Sequence, residues 1–374
     1  MIDPGSKASE RGKLHPALPV KGATQAPIKV LTRQNLGRCV EAMLAEKVRI
    51  VGPVMQAGQP VYASISRPAM LDFSPVIARN SIKDFLFPQT ETVMLYTIGK
   101  AGAEVRDVVP DGGAFQETLI LGARPCDAAG IASIRSVFTW QEENDPLFLE
   151  RLARTTIVTL ACVKGDSSCF CTSVDLAPDS TAGSDLLLRE TVDGNFSVEP
   201  VTGKGEALMS RWETWLESGS ATLKTILPPP VIEKSNLEKM LSWLSDPAHY
   251  EHEVWSEHAA KCLGCGACTY VCPTCHCFDL TDEGSAFQGE RRKNWDACQF
   301  DHFTAHAGGH NPRPLQSQRW RNRFMCKFHF YPTKFSAAGC VGCGRCIRVC
   351  YVGLDIAEMM EKVTAYANPK EPNA

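Results

Sequence analysis

The chain has 374 residues, 17 of them cysteines, and a formal net charge of −3 at pH 7. This length suggests two or three domains with material for a sizeable core. The near-neutral charge provides no basic footprint for nucleic acid, and no stretch approaches the roughly 18 apolar residues of a membrane-spanning helix.

The first 29 residues are rich in Pro, Gly, Ser and Lys and contain no apolar segment of the kind found in signal peptides. We therefore predict that residues 1–29 form a flexible extension. Many cysteines without a secretion signal favour metal ligation in a reducing compartment over disulfide bonds. The expected location is the cytoplasm.

The segment after this extension alternates between helical and β patterns. Thr32–Lys47 has apolar residues on one helical face, and Cys39 on this face is predicted to be a small core residue. Short runs rich in β-branched residues, separated by Gly or Pro, predict strands at Val48–Val54, Val61–Ile65, Val93–Ile98 and Val105–Val109.

Two apolar runs, Glu117–Leu121 and Thr156–Ala161, have the composition of strands buried on both faces. Each lies next to a predicted helix, Asp127–Phe138 or Pro146–Ala153. The alternation predicts an α/β (or α+β) N-terminal domain over residues 30–230.

The end of this domain contains a hairpin signal, a helix signal and a boundary signal. Leu186–Val201 predicts a β-hairpin around Asp193-Gly194, and Gly205–Ser218 predicts a helix. Pro228–Pro230 is stiff and extended, which favours a domain boundary. Ile232–Leu244 is predicted to be helical and to lead into the next domain.

Residues 231–374 are predicted to form an α-rich domain with a two-cluster ferredoxin-like module and a long insertion. The module is indicated by two copies of one cysteine run with C-x2-C-x2-C-x3-C spacing, which is the bacterial ferredoxin pattern for [4Fe–4S] clusters. In such modules the fourth cysteine of each run ligates the other cluster. The predicted ligands are therefore Cys262, Cys265, Cys268 and Cys350 for cluster A, and Cys340, Cys343, Cys346 and Cys272 for cluster B.

The alternative for these runs is a pair of structural zinc sites built from CxxC pairs. Two complete four-cysteine runs favour the clusters. Tyr351 stands where the ferredoxin pattern has a proline after the fourth cysteine, but that proline is not a ligand.

Four further cysteines lie far upstream, and they predict a third [4Fe–4S] cluster, cluster C: Cys126, Cys162, Cys169 and Cys171. If the two apolar strands are parallel, Cys126 and Cys162 emerge at the same carboxyl edge of the sheet, where open α/β sheets place ligands. Cys126 also precedes a helix, whose N-terminus favours thiolate. The alternatives are separate core cysteines, a redox-active CxC or zinc.

Residues 273–339 are longer than a ferredoxin module requires. A fourth metal site could be formed there by Cys275, Cys277, Cys298 and Cys326, although the spacing matches no standard loop; the alternative is that Cys275 and Cys277 pack beside cluster B. The segment also contains arginines that either form a solvated face or offset the negative charge of the clusters: Arg291, Arg292, Arg319, Arg321 and Arg323.

No GxGxxG fingerprint and no P-loop occurs in the sequence. We therefore expect no flavin or nucleotide in this chain.

Several stretches together resemble the iron–sulfur component of anaerobic sulfite reductase and the beta subunit of cytosolic nickel–iron sulfhydrogenases. The resemblance extends from about Asp84 to Cys350. It is carried by DFLFPQTE at Asp84–Glu91, RPCDAAGI at Arg124–Ile131, SCFCTSV at Ser168–Val174, CLGCGACTYVCPTCHCF at Cys262–Phe278, GERRKNWDAC at Gly289–Cys298, AGGH at Ala307–His310 and CVGCGRC at Cys340–Cys346.

The resemblance implies an electron-transfer subunit of a soluble hetero-oligomer. One partner would be a flavin- and NAD(P)H-binding subunit, and the other a catalytic subunit of hydrogenase or sulfite-reductase type. The chain has no catalytic motif of its own, so a non-catalytic subunit is expected. The alternatives are a subunit that reduces a sulfur compound directly and an iron–sulfur redox sensor, which lacks a recognisable output module here.

Overall fold

The computed structural model describes residues 28–108, 115–142, 144–229, 232 and 236–368. The predicted N-terminal extension lies outside these ranges except for Ile28 and Lys29, which begin the first strand. The strands are β1 Ile28–Leu31, β2 Arg49–Gln56, β3 Gln59–Ile65, β4 Thr90–Gly99, β5 Gly102–Asp107, β6 Thr118–Ala123, β7 Thr155–Leu160, β8 Leu186–Glu190, β9 Phe196–Pro200, β10 Glu217–Gly219, β11 Phe278–Gly284 and β12 Gln288–Trp295.

A π-helical segment, Cys326–Phe330, joins two of the helices, α9 and α10. The helices are α1 Arg33–Ala45, α2 Pro125–Phe138, α3 Pro146–Ala153, α4 Gly203–Trp212, α5 Leu237–Leu244, α6 Val254–Ala259, α7 Ala267–Tyr270, α8 Asp301–Thr304, α9 Gln316–Met325, α10 Tyr331–Phe335, α11 Arg345–Val349 and α12 Ile356–Tyr366.

The larger sheet has eight strands in the order β10-β1-β9-β8-β7-β6-β2-β3. Its four central strands, β8, β7, β6 and β2, are parallel to one another, and the flanking pairs are antiparallel. Helices cover both faces, as a parallel sheet requires. Leu119 and Leu121 of β6 pack into one core together with α1 and α4, whereas Ile120 packs into a second core together with α2 and α3.

The smaller sheet has four antiparallel strands in the order β11-β12-β4-β5. Seven residue pairs of β12 and β4 lie in register, from Gln288 opposite Thr97 to Asn294 opposite Thr90, with a bulge between Arg291 and Arg292. This sheet therefore joins the insertion to the first half of the chain. The division at residue 230 remains a prediction, and strands from both sides of it pair here.

A third core lies around the cysteine runs. Met240, Trp243, Trp255, Phe324 and Met359 are buried together, and they come from α5, α6, α9 and α12. These helices supply the apolar wall behind the cysteine-rich loops.

The mixed α/β content that the sequence predicts is confirmed. The two apolar strands pair in parallel, which is the condition under which Cys126 and Cys162 are expected at one edge of the sheet. The helix predicted at Gly205–Ser218 is wrong beyond Trp212, where a turn at Glu213–Trp215 leads into β10. The cause is tertiary, since β10 pairs with β1 and this pairing outweighs local helical preference. The lead-in helix begins at Leu237 rather than Ile232, and the end of the predicted strand Val105–Val109 lies outside the described residues.

Among the residues that the structure describes, no helix combines the length and the apolarity needed to cross a bilayer.

A buried ion pair ties the α/β half to the second cysteine run. Arg345, at the start of α11, donates to the carboxylate of Asp127 in α2 at 2.8 Å, and the two side chains are 2% and 0% exposed. Ser81 and Tyr62 also donate to Asp127, and Arg345 donates to the Ala78 carbonyl. The carboxylate thus accepts three side-chain hydrogen bonds, and a buried charge is tolerated when it is paired and hydrogen-bonded.

We predict that Arg345→Met destabilises the protein by about 3–5 kcal/mol, because it leaves the Asp127 charge buried without a partner. Anoxic urea denaturation followed by tryptophan fluorescence measures this. The double variant Asp127→Leu/Arg345→Met should recover part of the loss, since neither charge remains.

The matched control is Arg291→Met, which removes the exposed ion pair of Arg291 with Asp282. It should leave the free energy of unfolding close to that of wild type, because solvent screens exposed ion pairs. Equal losses in the buried and exposed variants would contradict this assignment.

Candidate iron–sulfur sites

The two cysteine runs have the same backbone form. Gly264 and Gly266 in the first run have φ values of +66° and +71°, and Gly342 and Gly344 in the second have +60° and +71°. Glycine adopts this left-handed conformation without strain. Each loop therefore curls in the same way, and a short helix, α7 or α11, begins directly after its second glycine.

The four cysteines predicted for cluster A, here called site A, line one cavity. Cys350 thus lies with Cys262, Cys265 and Cys268 although it belongs to the second run. Burial raises the pKa of the Cys262 thiol, and negative charge on Cys265 or Cys350 adds to that effect. Two groups donate to these sulfurs: Gln316 Nε2 to Cys262 Sγ at 3.3 Å and the Leu354 amide to Cys350 Sγ at 3.2 Å.

The four cysteines predicted for cluster B, site B, are more deeply enclosed. Cys272, Cys340 and Cys343 are each 7–8% exposed. Burial raises the pKa of Cys340 to about 11 and that of Cys346 to about 12, and negative charge on Cys272 contributes in both cases. Cys272 of the first run is therefore close to the thiols of the second run.

Two buried cations lie beside the cysteine sites, Arg323 against sites A and B and Lys327 against site B. Lys327 donates from Nζ to Cys272 Sγ at 3.1 Å and to the Gly339 carbonyl at 3.0 Å. Arg323 donates to the Cys268 carbonyl at 3.0 Å and to Cys275 Sγ at 3.4 Å. Burial lowers the pKa of both cations, but negative charge on the surrounding cysteines outweighs it and raises both values well above their usual range.

The five arginines that the sequence could not assign fall into two groups. Arg291 and Arg292 form surface ion pairs with Asp282 and Glu290. The three arginines of α9 are buried and donate to backbone carbonyls: Arg319, Arg321 and Arg323. Of these, Arg323 is the one that the structure places against the cysteine sites.

Sequence reasoning missed Lys327, although it lies one turn after Arg323. The segment RWRNRFMCK has more positive charge than an ordinary core helix, and this excess of charge is the feature of the sequence that could have indicated Lys327. A buried cation needs a buried anion, so cations on an otherwise buried helix indicate anionic neighbours.

The four cysteines predicted for cluster C, site C, also line a single cavity. Cys126 lies in the first turn of α2, Cys162 follows β7, and Cys169 and Cys171 lie in the loop after it. Arg348 Nη2 donates to Cys169 Sγ at 3.3 Å. The carboxyl edge of the parallel strands thus brings these thiols together.

Burial opposes the thiolate that the N-terminus of α2 is expected to favour at Cys126. Burial raises the pKa of Cys126 well above its usual range, and the charges of Asp127 and Cys343 add to the effect. Desolvation is the largest of these effects. A positive metal centre beside Cys126 would compensate the negative charge of its buried thiolate.

Sites B and C share a wall. The Phe170 amide donates to the Gly342 carbonyl at 2.8 Å, and Cys343 of site B lines the cavity of site C. A Cβ at Gly342 would lie 2.4 Å from Cys171 Cα, and one at Gly344 would lie 2.2 Å from the Ser168 carbonyl oxygen. Only glycine permits this close approach of the two loops.

The remaining cysteines have separate surroundings. Cys39 is fully buried on α1, as predicted for a core residue, and burial raises its pKa to about 12. Cys275 hydrogen bonds to Cys272, and Cys277 to Cys298. Cys326 interacts with these thiols through charge alone.

The donor sets suit iron–sulfur cubanes better than single ions. All 17 cysteines lie in the described part of the chain and all are free thiols. Within that part, no three His, Cys, Asp or Glu side chains converge closely enough to hold one metal ion. Four thiolates around a cubane bind four different irons and stand farther apart, and the buried cations Arg323 and Lys327 provide for a net negative group.

Comparisons with known proteins agree with this chemistry. Residues 261–354 match the 4Fe-4S dicluster domain family. The sulfhydrogenase 2 subunit beta of Pyrococcus furiosus is 32% identical over 271 residues, which cover 70% of this chain and 77% of that protein. No solved structure gives a significant match. A relative of this identity and coverage establishes the relationship, and the chain belongs to the family of hydrogenase beta subunits that includes this sulfhydrogenase protein, an iron–sulfur subunit for electron transfer.

Proposed function

We propose that this chain relays electrons between a flavin- and NAD(P)H-binding partner and a catalytic subunit of hydrogenase or sulfite-reductase type. The observation that carries the proposal is the arrangement of three four-cysteine sites in series. Cys346 of site B lines the cavity of site A, and Cys343 of site B lines the cavity of site C. The series runs from the C-terminal module to the edge of the large sheet, so its two ends can face different partners.

In this proposal each site holds one [4Fe–4S] cluster, with the ligands that the sequence analysis assigns to clusters A, B and C. When bound, such clusters supply one-electron oxidation and reduction. The protein's own contribution is to bury the sulfurs, to donate hydrogen bonds to them and to place positive charge nearby, all of which adjust reduction potential. A reducing cytoplasm would keep the thiols available for iron.

The residues around site B have the clearest role of this kind. Lys327 contacts the Cys272 sulfur directly, and Arg323 lies between Cys268 and Cys275. Positive charge here stabilises the more negative, reduced state of a neighbouring centre. We therefore assign Lys327 and Arg323 to the tuning of sites A and B.

The experiment that tests the relay is anoxic purification of the tagged chain from its native host. A flavoprotein together with a nickel–iron or sirohaem subunit should co-purify. The isolated chain should not oxidise NADH or NADPH. Bound flavin with pyridine-nucleotide oxidation by the single chain would contradict the relay, and turnover of sulfite or polysulfide by the single chain would favour a directly catalytic subunit instead.

The first prediction concerns iron content. Anoxic reconstitution should give about 12 irons per chain, four for each of three cubanes. Cys126→Ala should lower the count by about four and leave the signals of sites A and B intact, because Cys126 serves site C alone. Iron analysis and electron paramagnetic resonance measure this.

Cys39→Ala is the matched control, since it removes a buried thiol outside all three sites. It should retain all the iron. A wild-type protein that saturates at about eight irons, with the thiols of site C open to alkylation, would refute the third cluster.

The second prediction concerns the exchange of ligands between the two runs. Cys272→Ser should alter the spectrum and the potential of the cluster at site B, because Cys272 lies among the thiols of the second run. Cys350→Ser should do the same at site A. Selective loss of site A in Cys272→Ser would show that each run binds its own cluster.

A further inference from the structure

The insertion contains a pair of thiols at the open end of its hairpin. Cys277 immediately precedes β11, and Cys298 lies three residues after β12. Phe278 pairs with Trp295 in the sheet, and the Asp296 amide donates to the Cys277 carbonyl at 3.0 Å. The hairpin register therefore holds the two cysteine-bearing segments side by side.

The two thiols hydrogen bond to each other and differ in acidity. The contact with Cys277 lowers the pKa of Cys298 to about 6, with help from the charge of Arg323 and a hydrogen bond from Gln299. The same contact, together with burial, raises the pKa of Cys277 well above its usual range. One acidic thiol beside one protonated thiol is the arrangement that favours thiol–disulfide chemistry.

A continuous chain of hydrogen bonds connects this pair to site A. Gln299 Nε2 donates to Cys298 Sγ at 3.5 Å, and Gln299 Oε1 accepts from Gln316 Nε2 at 3.0 Å. Gln316 Nε2 also donates to Cys262 Sγ at 3.3 Å. Two amide side chains therefore bridge a ligand of site A and one thiol of the pair.

The neighbouring cysteines do not share this arrangement. Cys275 contacts Cys272, a proposed ligand of site B, and Cys326 has no thiol partner among the described residues. A single-ion site at these four cysteines is not supported either, since no group in the described ranges meets that geometry. The pair thus stands apart from its neighbours.

We propose that Cys277 and Cys298 form a redox-active dithiol/disulfide couple that exchanges electrons with the iron–sulfur centre at site A. On oxidation the S–H bond of Cys277 breaks and an S–S bond forms to the Cys298 thiolate, which releases one proton and passes two electrons, one at a time, to the iron–sulfur centre at site A. On reduction the disulfide takes up two electrons, one at a time from the reduced centre, and one proton, which returns to Cys277.

The couple rests on the proposed function, because it needs a one-electron centre at site A. The couple would be useful to a relay because the two kinds of redox partner transfer different numbers of electrons. Hydride carriers and hydrogen deliver electrons in pairs, whereas iron–sulfur clusters pass them singly. A dithiol beside the relay stores one complete pair.

The first test is thiol trapping in the full chain, purified with its iron under anoxic conditions. The protein is equilibrated in dithiothreitol redox buffers, quenched with one alkylating reagent, reduced, labelled with a second reagent and analysed by mass spectrometry. Cys277 and Cys298 should change label together, with the steepness of a two-electron couple. Cys39 should remain a thiol throughout.

The second test counts electrons by anoxic titration with dithionite from the fully oxidised state. Wild type should accept about two electrons more per chain than Cys298→Ser, because one disulfide takes up two. Cys326→Ser is the matched control: it removes a neighbouring thiol outside the pair and should accept as many electrons as wild type. Both variants should retain the wild-type iron content.

Several outcomes would overturn the couple. Equal electron capacity in wild type and Cys298→Ser, or independent labelling of the two thiols at every potential, would exclude it. A loss of about four irons in Cys298→Ser would instead identify these cysteines as ligands of a fourth cluster. Wild-type protein with little iron would contradict the proposed relay, and the thiol titration would then test the couple by itself.

Discussion

Negative charge on buried sulfur is the constraint on which the arrangement of this molecule depends. Burial raises the pKa of most of the cysteines in the three sites, so their thiolates cannot exist there without compensation. At sites A and B the compensation comes from Arg323 and Lys327, which are 3% and 4% exposed, and at site C Arg348 donates to the Cys169 sulfur. Each of these cations would be too costly to bury alone, and each directs its donors to sulfur or to nearby carbonyls. The buried cysteines and the buried cations thus compensate each other's charge, and bound iron would compensate the remaining negative charge on the sulfurs.

A second constraint is the close approach of the two cysteine-bearing loops. The second run presses its glycine backbone against the loop of Cys169 and Cys171, with no room for a Cβ at Gly342 or Gly344. The Arg345–Asp127 pair fixes the same contact from the side of α2. Because the contact is rigid and close, sites B and C are held together as neighbours. The electron path and the packing of the two halves therefore depend on the same few residues.

The insertion between the two cysteine runs contributes both to the electron path and to the packing of the two halves of the chain. Its hairpin supplies two strands to the smaller sheet, and that sheet includes β4 and β5 from the first half of the chain. At the open end of the hairpin, Lys83 lies over the Trp295 ring at 3.9 Å and donates to the Cys275 carbonyl at 3.0 Å. The segment that ties the halves together thus also positions the thiols beside sites A and B.

The sequence alone determined the local features of the protein. Cysteine spacing and paired glycines specify the two runs, and apolar periodicity specifies α1, β6, β7 and the helices beside them. These signals are local, because backbone conformation and side-chain period act over a few residues. The sequence also placed Cys126 and Cys162 after two apolar strands, but only the structure showed that these strands are parallel and share an edge.

Tertiary structure decided what local pattern cannot encode. β10 became a strand because β1 was available to pair with it, in a segment whose periodicity is helical. Arginines of similar sequence context were divided between the surface and the interior: Arg291 pairs with Asp282 at the surface, whereas Arg323 is buried against cysteines. Cys277 and Cys298 were brought together by hairpin register across a separation of about twenty residues. Charge compensation and thiol pairing depend on distances between segments remote in the chain, and only the folded arrangement sets those distances.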